Sequence, residues 1–395
     1  MNSSEIHKKK KLVVITSRFP FPLEKGDKLR AYHQIKYLSQ HFEIHLISIS
    51  EKSIQEKHIK ELTPYCKSIH VYTMNWLQIA TGLLLKFLEN KPLQVGYFYH
   101  YSIQKKINAF LEKIKPDHIY CQLIRASEYV KNYHECSKTI DYMDAFSKGI
   151  ERRAKNTRFL KKYIFEMEHK RLLKYENSIF EYFEHHTIIS EQDKNYIFHK
   201  NRDRIKVIPN GISSDFLENQ QNSKKDCDLV FIGNMSYPPN VGAAQFIVND
   251  ILPQLPKETK VKIVGASPSK EVQKLSSSQV KVVGYVDDIK AAYTSAVVFV
   301  APMFIGTGLQ NKLLESMALG IPCVTTSLAN NALGAKPEEE ILIADDVFSF
   351  VKQVQRLQTD PELHHKISQN GRAFILQNYP WDSITAGLKS LINNK

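Results

Sequence analysis

Residues 301–325 carry the chain's best case for chemistry. A strand-like run ends at Ala301, Pro302 follows, Gly306 and Gly308 stand two apart, and Lys312 precedes Glu315 by three residues. Gly-rich turns that feed a helix let backbone N–H groups approach a phosphate, and the helix presents its positive end there. With a helix beginning near Leu309, Lys312 falls in the first turn, on the phosphate side. Glu315 falls one turn on, where a carboxylate can accept both hydroxyls of a ribose. A lone Gly-x-Gly would be a loop turn with a helix cap. Here a lysine, a glutamate three residues later, and a stop at Gly320 before Pro322 and a new strand accompany it.

A second set of polar residues follows strand-like runs in the first half. Asp141-Tyr142-Met143-Asp144 closes one run, so Asp144 stands where a carboxylate orients a hydroxyl or caps the next helix. Gln122 and Arg125 follow the preceding run in the same way. Earlier, Lys25-Gly26-Asp27-Lys28 and Arg30 form a basic loop around a glycine that tolerates close approach, and it reads either as a phosphate-side loop or as a solvated one. No metal site is expected. No Asp-x-Asp loop follows a strand-like run, and the adjacent pairs His185-His186 and His364-His365 cannot both face one ion from a helix, so they read as surface histidines. Gly-x-Ser-x-Gly, His-Glu-x-x-His and Walker sequences are also absent, which argues against hydrolase, zinc-protease and P-loop chemistry.

These loops need parallel strands to bring them to one edge. Lys11 to Thr16 reads as a buried strand, Leu29 to Leu38 as a helix with Leu29, Tyr32, Ile35 and Leu38 on one face, and Glu43 to Ile49 as the next strand. Further strand candidates lie at 70–73, 118–122, 139–142 and 187–190, and Glu151 to Glu184 reads as one or two surface helices. After a turn at 207–211 and a polar linker at 215–226, strand and helix patterns alternate afresh from Asp228. The pattern predicts an α/β chain of two Rossmann-like, doubly wound domains: a flexible 1–10, a first domain at 11–214, a second at 227–378, and a C-terminal helix at 379–395 that returns to the first. Ligands of such sheets lie beyond the carboxyl ends of strands, so two facing halves place a cleft between two such edges.

The chain has 395 residues and a net charge of +13. Lys and Arg exceed Asp and Glu by about 14 in the first 210 residues, so the excess belongs to the first half. Nucleic acid, a phospholipid surface and a diphosphate-bearing acceptor all fit that charge, but no nucleic-acid-binding signature accompanies it, and no nucleic-acid partner is expected. The five scattered cysteines read as reduced thiols, and the N-terminus lacks the apolar core of a signal peptide, so a cytoplasmic location is expected. The apolar run Trp76 to Leu85 is too short to span a bilayer and reads as a buried or domain-packing helix, with lying on a membrane surface as the alternative.

The 301–325 segment resembles the donor-site signature of group 1 (family 4) glycosyltransferases, which share the GT-B fold. Val207-Ile208-Pro209-Asn210-Gly211-Ile212 is similar to the family's interdomain turn, and Ile188-Ile189-Ser190-Glu191 to the end of its first domain. Phe231-Ile232-Gly233-Asn234 is similar to the first strand of its second domain, and Val282-Val283-Gly284-Tyr285-Val286 with Asp288 and Tyr293 to the segment flanking the nucleotide base. Ser17-Arg18-Phe19-Pro20-Phe21-Pro22 and the basic loop after it resemble a subgroup associated with exopolysaccharide and protein-sorting systems.

The resemblance implies a hexosyltransferase that moves a sugar from a UDP- or GDP-sugar to a glycan or lipid-linked acceptor. Retention of configuration, no metal, and no cofactor beyond the nucleotide sugar are implied with it. Lys312 would neutralise the departing diphosphate, Glu315 would hold the ribose, and Asp144 completes the catalytic set. Gly233, Asn234, Gly284, Tyr285, Gly306, Thr307, Gly308, Leu309, Gln310 and Asn311 would line the donor. Lys25, Gly26, Asp27, Lys28, Arg30, Gln122 and Arg125 would face the acceptor or a phosphate, and an anionic membrane surface is a further candidate partner. Two positions depart from the pattern: Thr307 stands where many relatives have the first glutamate of Glu-x7-Glu, and no basic residue follows the 229–233 strand, where Asn234 and Asn240 are the available substitutes. A non-catalytic GT-B subunit and a GT-B sugar-nucleotide epimerase are the alternatives.

Overall fold

The computed structural model describes residues 9–155, 157, 160–217, 225–305 and 308–393. Residues 218–224 of the expected linker and 1–8 of the expected N-terminal tail lie outside them. The chain forms two compact units, one of Met1–Ile208 with Asp382–Lys395 and the other of Pro209–Trp381.

The first unit is built on β1 (Lys11–Thr16), β2 (Glu43–Ser50), β3 (Ser68–Thr73), β4 (His118–Gln122), β5 (Ser137–Asp141), β6 (His185–Ile188) and β7 (Lys206–Val207), in the order β3-β2-β1-β4-β5-β6-β7. Every pairing is parallel, with Val13 registered against His45 on one side and Ile119 on the other. Leu12, Val13, Val14 and Ile15 are all at most 1% exposed, as the near-continuous apolar run of a strand covered on both faces requires. The strand order reverses between β1 and β4, so the loops after these two strands flank the sheet's crevice.

The 151–184 stretch, expected as one or two helices, forms part of two, Phe146–Lys155 and Leu160–Phe180, while two other expectations change. His186 is not a surface histidine: it is buried, its ring stacked 3.6 Å from that of Phe180. The Trp76–Leu88 helix also keeps Trp76, Leu77, Leu84, Leu85 and Leu88 more than half exposed, because only a narrow side of it, centred on Gly82 and Lys86, is buried.

The second unit has β8 (Cys227–Ile232), β9 (Val261–Val264), β10 (Val280–Val283), β11 (Ala296–Ala301), β12 (Cys323–Thr325) and β13 (Leu342–Ile343), ordered β10-β9-β8-β11-β12-β13 and all parallel. Its switch point lies between β8 and β11, the strands that precede Gly233 and Pro302. At Gly211 an added Cβ would lie 2.8 Å from the Trp381 ring, so only glycine lets the chain pass that buried indole.

Candidate active site

The Asn311–Ala318 helix begins beyond the carboxyl end of β11 and buries Leu313, Leu314 and Met317, so its opposite side carries Lys312 and Glu315. Gly308 has φ +79°, a left-handed turn that glycine makes without strain, and Gln310 at the N-cap supplies no side-chain cap. Gly306 and Thr307 lie outside the described residues. Leu309 is buried, and the Asn311 carboxamide oxygen accepts from Asn210 Nδ2 at 2.8 Å.

Lys312 is half-buried, and its Nζ donates to Asn240 Oδ1 at 2.7 Å and stands 5.2 Å from the centre of the Phe231 ring. Burial pulls its pKa down to about 8, against a smaller upward pull from Glu315. Glu315 Oε2 accepts from the Tyr293 hydroxyl at 2.7 Å, and burial pushes its carboxyl up to about 7, offset in part by that hydrogen bond and by Lys312. Tyr293 is fully buried, and burial holds its phenol well above the usual value, so it remains a donor. Both charged groups are therefore positioned by neutral partners, an amide for the cation and a phenol for the anion.

Loops after the neighbouring strands explain how Asn240 reaches Lys312. A Cβ on Gly233 would lie 2.7 Å from Asn240 Nδ2, so the glycine makes room for the amide. Asn240 Nδ2 in turn donates to Asn234 O at 2.9 Å, which fixes its oxygen toward Lys312. The Asn234 side chain closes its own turn by accepting from Ser236 N and Oγ. After β10, Gly284 O accepts from Gly265 N at 3.2 Å, and Tyr285 is 70% exposed.

At the edge of the first sheet, Arg30 is fully buried and forms a two-pronged pair with Asp141, at 2.6 Å from Nε and 3.0 Å from NH2. Its charge is matched inside the protein rather than offered from a loop. Gln122 is likewise buried and donates to Asp27 O at 2.8 Å, while Asp27 accepts from Arg18 at 2.8 Å. Lys25 is exposed, and Lys28 is half-buried with its pKa lowered chiefly by burial. Arg125 donates to Gln94 Oε1 at 2.6 and 3.1 Å and lies over the Phe146 and Phe98 rings. Burial, then Arg18, lowers its pKa to about 10, and among the described residues no carboxylate stands within ion-pair distance. Asp144 is held well above the usual carboxylate range by burial and by Asp193.

Asn240, Tyr293, Asn210 and Arg18 complete these arrangements. Tyr293 stands 22 residues from Glu315 and Asn240 stands 72 from Lys312, so no local spacing marks them as partners. The resemblance places Tyr293 in the segment flanking the nucleotide base, but not as the partner of Glu315. Among the described residues no group of three His, Cys, Asp or Glu is placed to hold a metal ion.

Comparison with known proteins bears on this geometry. Residues 226–360, which include Asn240, Tyr293, Lys312 and Glu315, match the family model described as Glycosyl transferases group 1. An uncharacterized 44.6 kDa protein in the cps region of Klebsiella pneumoniae is 26% identical over 399 residues, covering 93% of this chain and 96% of its own. Sucrose-phosphate synthase from Thermosynechococcus elongatus superposes with a TM-score of 0.72 at 16% identity, over 97% of this chain and 98% of that one. Anabaena Alr3699/HepE, solved with UDP and glucose, superposes with a TM-score of 0.70 at 14% identity, over 98% of this chain and 100% of that one. With two all-parallel sheets of seven and six strands, the chain has the GT-B fold of glycosyltransferases. Within that fold, the segment 226–360 of the second unit is similar to the group 1 glycosyltransferases.

Proposed function

We propose that this chain transfers a hexosyl group from a UDP- or GDP-sugar to a hydroxyl of a glycan or lipid-linked acceptor in surface-polysaccharide assembly, on the cytoplasmic side of a membrane. Retention of configuration and independence of metal are part of the proposal. The observation that carries it is the pair Lys312 and Glu315, one helical turn apart, each held by a neutral partner. An ammonium held by an amide keeps its full charge for a diphosphate, and a carboxylate held by one phenol retains acceptor capacity for ribose hydroxyls. The UDP and glucose held by Anabaena HepE support a nucleotide-sugar donor, and the cps-region relative supports the polysaccharide setting.

In the proposed step the bond between the anomeric carbon and the diphosphate oxygen breaks, and its electron pair stays on that oxygen. Lys312 and the N-terminal end of the Asn311–Ala318 helix oppose the charge that develops there. The acceptor oxygen bonds to the anomeric carbon on the same face, and its proton passes to the departing phosphate oxygen. In the first unit Arg125, with no carboxylate within ion-pair distance among the described residues, suits a phosphate on a lipid-linked acceptor, and Asp144, its pKa raised by burial and by Asp193, suits a hydrogen bond to a sugar hydroxyl.

A thermal-shift series with UDP, GDP, ADP and CDP tests the donor site. One diphosphate is expected to raise the melting temperature in a concentration-dependent way, with the shift absent in Glu315→Ala. Turnover of the matching nucleotide sugar should continue in EDTA and release the retained anomer by NMR. If no diphosphate shifts the protein even at millimolar levels, a non-catalytic GT-B subunit becomes the better reading.

A further inference from the structure

The Trp76–Leu88 helix is secured to the first unit along one narrow side. Its start is fixed by a capping box in which Asn75 Oδ1 accepts from Gln78 N at 2.9 Å and Gln78 Oε1 accepts from Asn75 N at 3.0 Å. Its middle is pressed against the Leu93–Tyr97 turn of helix: a Cβ on Gly82 would lie 2.5 Å from Gly96 O. Near its end, Lys86 is buried, bonded to Glu89 and Glu128 and placed 4.2 Å over the Tyr99 ring. These contacts order a helix whose outer side is apolar but for Thr81, whose hydroxyl is turned back to Leu77 O and Gln78 O. Trp76 is 73% exposed and Leu88 is 72% exposed, with Leu77, Leu84 and Leu85 each above 50% between them.

Residues at 76, 80, 84 and 88 fall on one stripe, and the helix carries no exposed charge of its own. Charge surrounds it instead. At one end Gln78 touches Ser102 of the Tyr101–Ile114 helix, whose Lys105 and Lys106 are exposed. At the other, Arg171 covers the Phe87 ring at 4.2 Å, and a groove of about 490 Å³ joins Asn90 to Tyr163, Lys170 and Lys174 of the Leu160–Phe180 helix. Of the acidic residues at this rim, Glu89 is engaged by Lys86 and Lys91, and Glu166, which also lines the groove, pairs with Lys162 at 3.8 Å.

We infer that this face docks on the surface of an anionic lipid bilayer, with the Trp76–Leu88 helix lying in the headgroup layer and the flanking lysines against lipid phosphates. A fixed helix with an apolar outer side, an aromatic residue at its edge and a basic surround matches the needs of an interfacial anchor. A second copy of the chain fits less well, because a two-fold contact would oppose the same basic surrounds to each other. The helix is too short to cross a bilayer, and among the described residues no helix is long and apolar enough to do so. This inference does not rest on the transfer chemistry, and its test does not use it.

The chain has two tryptophans, and Trp381 is 1% exposed, so a change in tryptophan emission on adding vesicles reports Trp76. Phosphatidylcholine vesicles containing phosphatidylglycerol should shift the emission to the blue and carry the protein down on sedimentation, and pure phosphatidylcholine should do so at least roughly tenfold more weakly. Trp76→Phe should abolish the emission change while retaining sedimentation. A Trp76→Ser, Leu84→Ser, Leu88→Ser variant should lose sedimentation by about tenfold or more with an unchanged circular dichroism spectrum. Lys105→Gln with Lys106→Gln, Lys170→Gln and Lys174→Gln should reduce binding to the anionic vesicles. Absence of vesicle binding by the wild type, binding indifferent to the serine substitutions, or a concentration-dependent dimer that the serine substitutions dissolve would each overturn the inference.

Discussion

Lys312 and Glu315 sit at pKa values of about 8 and about 7, close enough that both are charged together only in a narrow window. Under the proposed roles, donor affinity requires the ammonium for phosphate and the carboxylate for ribose. Affinity for the selected diphosphate should therefore be greatest between about pH 7 and 8, weakening below as Glu315 takes a proton and above as Lys312 loses one. Titration calorimetry across that range checks it, and near pH 8 binding should take up protons because the diphosphate raises the Lys312 pKa. Lys312→Ala should lower turnover by ~10²–10³ with the fold intact, the usual scale for losing one preorganised group at a developing charge. Glu315 also bears on stability. Its folded pKa is above the ordinary value of 4.5, so folding holds a proton the unfolded chain lacks, and stability falls as pH rises from about 4.5 to about 7. Glu315→Gln removes that cost. It should raise the ligand-free melting temperature at pH 8 by a few degrees, about 1 kcal/mol, while abolishing the nucleotide shift.

The strands that hold these residues depend on two close contacts within the elements. At Gly265, φ is +151° and an added Cβ would fall 1.7 Å from Gly233 O, so the ends of β8 and β9 meet only because position 265 lacks a side chain. Gly265→Ala should cost the second unit its native packing, read as loss of the nucleotide shift together with a lowered melting transition. In the first unit, Arg30 and Asp141 are both 0% exposed and tie the Gly26–Leu38 helix to β5. Arg30→Met leaves a buried carboxylate unmatched, expected to cost about 3–5 kcal/mol, whereas Arg30→Met with Asp141→Leu should cost much less. Urea unfolding of the two variants distinguishes that structural role from the phosphate role expected from sequence. The burial of Arg30 was not legible in the sequence. A basic residue in a Lys-rich loop looks solvated, and its acid stands 111 positions away, beyond any local pattern. The β11 loop and its helix were legible because glycines, lysine and glutamate follow one another within ten residues, and the long parallel strands because buried strands are apolar throughout. The two-residue β13 gave no such signal, and the exposure of the Trp76–Leu88 helix depends on a partner surface only one side wide.

Across the whole molecule, the two units divide the charge and the chemistry. The excess of about 14 positive charges belongs to the first 210 residues, and the matched family segment lies wholly in the other unit. A nucleotide alone should accordingly act on the second unit. Its phosphates would meet the amides that open the Asn311–Ala318 helix, and its ribose would tighten the link from Glu315 to Tyr293 and so the Ile289–Thr294 helix. Hydrogen exchange measured with and without the stabilising diphosphate should show slowed exchange at 233–240, 284–294 and 308–316, the segments joined by the bonds of Asn240 and Tyr293. The strands of the first unit should exchange as before, because none of those bonds reaches its sheet. Slowing confined to the first unit would place the nucleotide on the basic half and remove the assignment of Lys312 and Glu315. Slowing in the second unit that survives Lys312→Ala but not Glu315→Gln would show that ribose recognition holds the nucleotide, leaving the lysine to act on the departing charge alone.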